Sequence, residues 1–464
     1  MKITSATAIL LSLIGTTVLN APYVASAKAE TIASALARAY MNNPDLNSQR
    51  AAVRGADEEI PRAKSGYRPT IAATASAGYQ DNQVRALPSS NTTHNTTHPR
   101  SVGLSVTETL WNGNRTENSV TQAESKMLGA RETMRSTEQS VLSDASTYYM
   151  NVLRDTAILN LNKRNITVLQ QQLQQTQDRF KVGEVTQTDV AQSQANLAQA
   201  RTGFFAAQAN LEASIANFHQ VIGVQPTRLE PARPLDNLIP KSLTQAIEIG
   251  QSQNPAIRAL LHAVEAAQLQ VNIDEAELYP TVGVSGNVSH QWDFQTNPNS
   301  NLNTASVIGQ ITIPIYGGGE VYARTREAKE LVAQNRLQVD LQRAKVRAAV
   351  VTAWGQVQSS RQAISSSQAT VKAAEIALRG VREEAKVGQR TTLDVLNAQQ
   401  TLLNARVTLV SSQRDRVVAT YALMSAIGKL SATNLHLAVN HYNPNVHYEQ
   451  VKDKWIGLRT PDGQ

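Results

Sequence analysis

The sequence predicts a mainly α-helical chain with membrane β-strands: long helices in a coiled or barrel-like bundle, joined to strands that only oligomerisation can close into a barrel. Three observations predict it. Residues 116–182 contain one glycine and no proline, and residues 320–387 two glycines and no proline; about 67 helical residues span roughly 100 Å at 1.5 Å per residue. Four shorter runs of about 10–13 residues alternate apolar with small or polar side chains, and a tilted transmembrane strand needs about 9–11. The whole plan occurs twice.

Composition fits thin helices better than several compact cores. Of 464 residues only 5% are aromatic and 17% charged, while Ala, Gln, Ser, Thr and Asn fill long stretches. The net charge of +7 comes from 44 Lys+Arg against 37 Asp+Glu, and the basic residues are scattered, so no nucleic-acid stripe is read. The chain has no cysteine, which excludes disulfides, cysteine–zinc sites, Fe–S clusters and cysteine nucleophiles.

The elements follow in order. Lys2, the apolar run from Ile9 to about Leu19 and Ala25-Ser26-Ala27 predict a secretory signal peptide over residues 1–27, cut after Ala27. No cysteine follows to carry a lipid. Beyond it no run of about 18 apolar residues occurs, so no transmembrane helix is expected. Repeat 1 covers 28–223 and repeat 2 covers 241–428, joined by a linker at 224–240 and followed by a tail at 429–464. Asn43-Pro44 and Pro69-Thr70 recur 211 residues later as Asn254-Pro255 and Pro280-Thr281. Leu110-Trp111, Lys181-Val182-Gly183, Asp189-Val190, Arg201 and Ile222-Gly223 recur at an offset of 205. Each Asn-Pro starts a helix, with Asn as N-cap and Pro at the first helical position.

The strands are expected at about 69–82 and 100–111, and again at about 280–293 and 304–316. Ile71, Ala73, Ala75, Ala77 and Tyr79 share one face, as do Val102, Leu104, Val106 and Leu110. Val282, Val284 and Val288 alternate with Gly283, Ser285 and Asn287, and Val307, Ile311, Ile313 and Ile315 with polar positions; Glu108 and Gly309 interrupt the apolar faces. Trp111 and Tyr316 end the second strand of each pair, where girdle residues would sit at a membrane interface. Alternation also fits a soluble half-buried sheet. If the strands span a bilayer, four cannot close there, because each open-edge N–H or C=O costs several kcal/mol. Two subunits give eight strands and three give twelve; alternation alone does not choose.

The long helices end at Gly183 and Gly388, the left-handed stop, and restart within about three residues at T-x-x-D capping boxes, Thr186…Asp189 and Thr391…Asp394. The result is an antiparallel helical hairpin in each repeat, with tips at 183–189 and 388–394.

Together these residues resemble the TolC family of outer-membrane efflux and secretion channels, over roughly Glu30 to Leu430. The carrying motifs are the duplicated Asn-Pro starts, the Pro69 and Pro280 strand starts, L-W-N-G at 110–113, I-Y-G-G-G at 315–319 and the V-G…T-D-V and V-G-Q-R-T…D-V-L tips. The resemblance implies a homotrimer in the bacterial outer membrane, with a twelve-stranded transmembrane β-barrel and a periplasmic α-helical barrel of twelve helices. Loops 83–100 and 294–304 would face the exterior, and the linker would sit near a mid-tunnel belt, with the tail in that belt or partly disordered. Cargo, toxic small molecules or secreted polypeptides, would come from an inner-membrane transporter of ABC, RND or MFS type through a periplasmic adaptor. By motif position Asp189 and Gln172 match gate-linking residues of the first hairpin, Arg390 matches the arginine of the second, and Asp394 matches a pore-lining carboxylate. Gly183, Val185, Thr186, Gly388 and Thr391 fall where an adaptor would touch the tips. The chain departs from the family where Ala385 replaces a frequent tyrosine, Arg382 replaces a gate carboxylate and Asn397 replaces a second pore carboxylate, which implies a thinner lock and a single carboxylate ring.

Catalytic, cofactor and metal sites are not expected. His94 and His98 lie in an Asn/Thr/Pro-rich loop, Gly317-Gly318-Gly319 lacks the lysine of a phosphate loop, and no Gly-x-Ser-x-Gly elbow occurs. The alternative from another class is a secreted structural or adhesive coiled-coil protein without a pore.

Overall fold

The structure is a computed structural model that describes residues 30–85, 92–293, 300–461 and 463. The expected signal peptide at 1–27 lies outside the described residues, as do 86–91 and 294–299 of the two expected exterior loops. Helix α1 (Ile32–Asn42) leads into α2 (Pro44–Lys64). Strands β1 (Thr70–Ala77), β2 (Gln80–Arg85), β3 (Thr92–Thr97) and β4 (Arg100–Trp111) precede α3 (Arg115–Lys181) and α4 (Gln187–Ile222). The second half runs α5 (Leu243–Gln253), α6 (Pro255–Glu275), β5 (Thr281–Trp292), β6 (Asn301–Thr312), α7 (Glu320–Lys386) and α8 (Thr392–Ala426), and α9 (Pro444–Val451) lies in the tail. Helices α1, α5 and α9 were not anticipated from sequence; Thr31, Ser242 and Asn443 cap them. No described helix is long and apolar enough to cross a membrane.

The Asn-Pro starts do two jobs. Asn43 Oδ1 accepts from the backbone N–H of Asp45 at 2.9 Å and of Leu46 at 3.2 Å, while its Nδ2 donates to the Val221 carbonyl at 3.1 Å. Asn254 Oδ1 accepts from Ala256 N–H at 3.0 Å, and its Nδ2 donates to the Ala426 carbonyl at 3.1 Å. Each side chain therefore caps its own helix and holds the end of the hairpin that follows in its repeat. Pro supplies φ near −65° without wasting an N–H.

Helices α3 and α7 are 67 residues each. At one end α3 lies against α2 and α6, and at the other against α4 and α8; α7 lies against α6 and α8. On α7 the buried residues Thr325, Val332, Val339, Val346, Ser360, Ser367 and Ala374 follow seven-residue spacing, with half-buried Ala353 at the step between Val346 and Ser360. That period keeps one seam facing its neighbours only if the helices supercoil, and small side chains on the seam let them approach closely.

The largest core forms a belt midway along the helices. Leu36, Leu46, Leu142, Tyr149, Phe218, Ile222, Leu423, Met424, Ile427 and Leu430 are essentially fully buried there. The linker packs on it: the Tyr149 hydroxyl lies 2.7 Å from the carbonyl oxygens of both Glu30 and Glu230, which share its one proton, and Leu235 N–H donates to Thr420 Oγ1 at 3.1 Å. Buried Arg416 bonds Asp236 of the linker and the Val357 carbonyl. The tail enters the same core through Leu430, Ala432 and Leu437, and Glu138 accepts the Ala432 N–H at 2.8 Å. It does not stay in the belt: α9 packs along α2, with His447 Nδ1 3.0 Å from Asp57 Oδ2 and Arg131 Nη1 donating to Asn445 Oδ1 at 2.7 Å.

The main sheet has the order β1-β4-β5-β6, all antiparallel. Its register aligns the rows Ile71–Val106–Gly286–Val307 and Ala73–Leu104–Val288–Ala305 on one face. The rows Ala72–Ser105–Asn287–Ser306 and Thr74–Gly103–Ser289–Thr304 fall on the other. The two interruptions of the apolar pattern meet in one row, Glu108–Val284–Gly309.

Several strand expectations need correction. The run 69–82 is broken: β1 ends at Ala77 and β2 pairs with β3 in a separate two-stranded sheet. Gly78 N–H still bonds the Pro99 carbonyl at 2.9 Å, but Pro99 has no N–H to return, so the ladder stops there. Tyr79 leaves the strand and meets the His98 ring edge-on at 5.5 Å. His94 lies in β3 opposite Gln83, not in a loop. A bulge between Thr109 and Trp111 places Trp111, not Leu110, in register with Val282. Strand β6 covers 301–312 in place of 304–316, because Pro314 cannot donate to a ladder.

Candidate functional site

Two places carry the chemistry: the tips of the helical hairpins and the two faces and edges of the sheet. At the first tip Gly183 has φ +79°, its N–H bonds the Phe180 carbonyl at 3.0 Å, and Glu184 N–H bonds the Arg179 carbonyl at 3.0 Å. At the second, Gly388 has φ +78°, its N–H reaches Ala385 O at 3.3 Å, and Gln389 N–H reaches Glu384 O at 2.9 Å. These paired bonds satisfy carbonyls a helix end would otherwise leave open. The chain then restarts at once. Thr186 N–H bonds Asp189 Oδ2 at 3.0 Å and Asp189 N–H returns to Thr186 Oγ1 at 3.3 Å; the Thr391–Asp394 box has the same bonds at 3.0 and 3.2 Å.

Both carboxylates are half-buried and both titrate lower than an ordinary aspartate. For Asp189 the Thr186 hydroxyl is the largest cause, followed by the Thr186 N–H, with smaller help from Thr392 and Arg179. For Asp394 the Thr391 N–H leads, followed by the Thr391 hydroxyl and the positive charge of Arg390. Thr392 opens α8, the second arm of the second hairpin, so Asp189 faces the other tip of the same protomer.

Arg390 Nε donates to Glu384 Oε2 of its own hairpin at 2.8 Å. Arg382 Nη2 donates to Gln399 Oε1 at 2.9 Å, and Gln399 Nε2 reaches buried Asn165 Oδ1 of the first hairpin at 3.3 Å. Gln172 and Arg382 line one groove of about 360 Å³ between the two hairpins, with Gln175, Arg179 and Val395. Thus Gln172 and Arg382 are brought together, whereas Arg390 and Asp189 do not bond within the protomer. Val185 lies between Gly183 and Thr186 in the tip turn. Sequence reasoning missed Glu384, Gln399, Asn165 and the pair formed by Arg179 Nε and Glu184 Oε2 at 3.0 Å. The signal was present: a charge five residues before each Val-Gly-X turn's end, at Arg179 and Glu384, with its opposite just after the glycine.

On the sheet the apolar face is open. Ile71 is 67% exposed, Val288 61%, Val307 81% and Ile311 66%, far more apolar surface than isolated exposed residues explain. Trp111 ends β4, and Tyr316 lies four residues beyond β6, both exposed. The outer edges of β1 and β6 pair with nothing among the described residues.

Coiled hairpins with paired stops and restarts, continuing from a sheet that is apolar on one face and polar on the other, define an outer-membrane channel protomer. Comparison with known proteins specifies which kind. The profile described as "Outer membrane efflux protein" matches residues 35–224 and 247–429. The chain is 40% identical over 439 residues to outer membrane efflux protein BepC of Brucella suis biovar 1, covering 95% of this chain and 94% of that one. It is 23% identical over 432 residues to outer membrane protein TolC of Escherichia coli strain K12, covering 89% of this chain and 85% of that one. The CmeC outer membrane channel of Campylobacter jejuni superposes with a TM-score of 0.77 at 17% identity, covering 91% of this chain and 89% of that one. The chain belongs to the outer membrane efflux protein family, whose members are outer-membrane channels and not enzymes. It resides in the outer membrane, with its helices extending into the periplasm.

Proposed function

We propose that three copies assemble into one conduit that passes toxic small compounds from a periplasmic adaptor and an inner-membrane transporter to the exterior. The observation that carries this is the unclosed sheet: four strands with an apolar face outward, a polar face inward and two bare edges. Strands β1 and β6 run antiparallel to one another, so β6 of one copy can continue on β1 of the next. Eight strands is the smallest known membrane barrel, which excludes a lone copy, and three copies follow the family. At each level one protomer contributes four helices, so three supply twelve. Repeats 28–223 and 241–428 act as equivalent halves joined through the belt by 224–240. Efflux is the cargo class that the name of BepC supports.

In this reading Asp394 lines the pore at the periplasmic end, where threefold repetition makes a carboxylate ring. Gln172, Asp189, Arg382 and Arg390 form the gate, and Gly183, Val185, Thr186, Gly388 and Thr391 present the tip backbone to an adaptor. Trp111 and Tyr316 lie at the periplasmic lipid interface. An exposed ion pair contributes little singly, so a gate of a few such contacts can open on docking.

Planar-bilayer recording tests the proposal. Purified protein should form cation-preferring pores, and failure to conduct in any lipid would defeat the conduit in favour of a structural coiled-coil protein. Asp394→Ala should weaken block by polyvalent cations from the periplasmic side by about tenfold; unchanged block removes Asp394 from the pore. Arg390→Ser frees Glu384 and should raise mean conductance, and an unaltered distribution counts against a locking role.

A further inference from the structure

Residues 454–459 form an apolar finger beside the membrane sheet. Beyond α9 the chain follows α2 toward the strands: Lys64 Nζ bonds Asp453 Oδ1 at 2.8 Å, and Arg68 Nη1 donates to the Lys454 carbonyl at 2.9 Å. The Arg68 guanidinium lies 4.6 Å over the Trp455 ring. Arg68 is two residues from Thr70, where β1 begins, so the finger is held at the height where the chain enters the sheet. Residues 454–459 close a loop through Lys454 Nζ and the Arg459 carbonyl at 2.7 Å, with Gly457 at φ +117° at its head. The side chains it carries point away from the protein: Trp455 is 67% exposed, Ile456 87% and Leu458 103%. Just before it the tail buries Val451 completely.

Three large apolar side chains in four residues, held out by a closed loop, have no purpose toward the chain's own core. Their surroundings specify a lipid surface. Exposed Tyr67, Trp111 and Tyr279 mark the same end of the strands, where aromatic rings settle at headgroup level. Lys454 and Arg459 flank the apolar head, and Arg68 stands against it beyond the end of α2. Apolar side chains with neighbouring cations are the composition of segments that lie in the interface of anionic bilayers.

We infer that residues 455–458 are an interfacial anchor. They insert Trp455, Ile456 and Leu458 into the headgroup zone of the periplasmic leaflet, with the Arg459 side chain at the rim, where lipid phosphates lie. This site is separate from the pore and rests on the proposed seating of the sheet in the outer membrane. One finger per copy fixes the height and tilt of the assembly beneath the barrel.

The chain has no cysteine, so single labels can be placed cleanly. Full-length protein is reconstituted in nanodiscs of phosphatidylethanolamine and phosphatidylglycerol, with a fluorophore at Ile456→Cys, at Val307→Cys on the apolar sheet face, or at Asp340→Cys, about a third of the way along α7. Lipids bearing a shallow nitroxide should quench the Ile456 label at least threefold more than the Asp340 label. Quenching at Val307 with none above the Asp340 level at Ile456 would overturn the anchor. Protection of the Ile456 label from both nitroxide lipid and aqueous iodide would also overturn it, by showing a protein contact there. Failure at both Val307 and Ile456 would overturn the lipid-facing sheet and the anchor with it.

Discussion

The two hairpin tips have the same backbone and opposite charge order. Both stop on a left-handed glycine, both restart on a threonine–aspartate box, and the matching hydrogen bonds agree within about 0.3 Å. Yet the first tip pairs Arg179 on the helix end with Glu184 after the turn, while the second pairs Glu384 on the helix end with Arg390 after it. A helix C-terminus is the negative end of its dipole, so Arg179 is favourably placed and Glu384 is not. The turn geometry is common to both halves because the chain can reverse in three residues only one way cheaply. The charges lie outside that requirement and are free to specialise. In the second tip the pairing places a carboxylate at the negative helix end, so that tip depends more on Arg390 to offset it.

The largest expected effect tests the shared backbone. No atom lies within 4 Å of a Cβ added at Gly183 or Gly388, so the cost of Gly183→Ala or Gly388→Ala is conformational alone, about 1–2 kcal/mol. Hydrogen exchange of each tip peptide should speed up by about 5–30-fold, equally in the two tips. Unequal loss would break the equivalence. A smaller effect sharpens the difference. Arg179→Ala should cost the first tip about 0.5 kcal/mol, whereas Glu384→Ala should leave exchange at the second nearly unchanged, because removing a carboxylate from the negative end offsets the lost pairing. Equal responses would mean charge order is irrelevant to tip stability. The smallest effect is in pH. Both cap aspartates titrate below their ordinary 3.8 when folded. The unfolded tip therefore takes up protons first, and the caps' contribution is complete above about pH 3.8 and fades as pH falls through the lowered values. Exchange protection corrected for intrinsic rate should be flat from neutrality to pH 4 and drop below it in both tips.

Local signals were read well where one residue type answers one backbone need. Asn-Pro, Val-Gly and Thr-x-x-Asp each satisfy particular N–H and C=O groups, so their spacing gave the helix starts, the reversals and the 67-residue spans. Strand ends were less legible. The Leu110 bulge, the early stop of β6 at Thr312 and the break at Gly78–Tyr79 depend on what lies across the ladder, and alternation along one strand does not report its partner. At the tips, Asp189 and Asp394 were found through their caps, while Glu384 and the Arg382–Gln399–Asn165 chain emerge only when two hairpins stand side by side.

What the sequence determined by itself is the repeated sequence of stops, starts and faces, because hydrogen-bond satisfaction at chain reversals and apolar periodicity are local demands. Only the tertiary structure decided the strand order β1-β4-β5-β6, the seating of the linker on the belt and the climb of the tail along α2 to the membrane end. Those depend on which buried surfaces meet across distances in the chain that no local pattern encodes, such as Asp57 with His447 or Arg416 with Asp236.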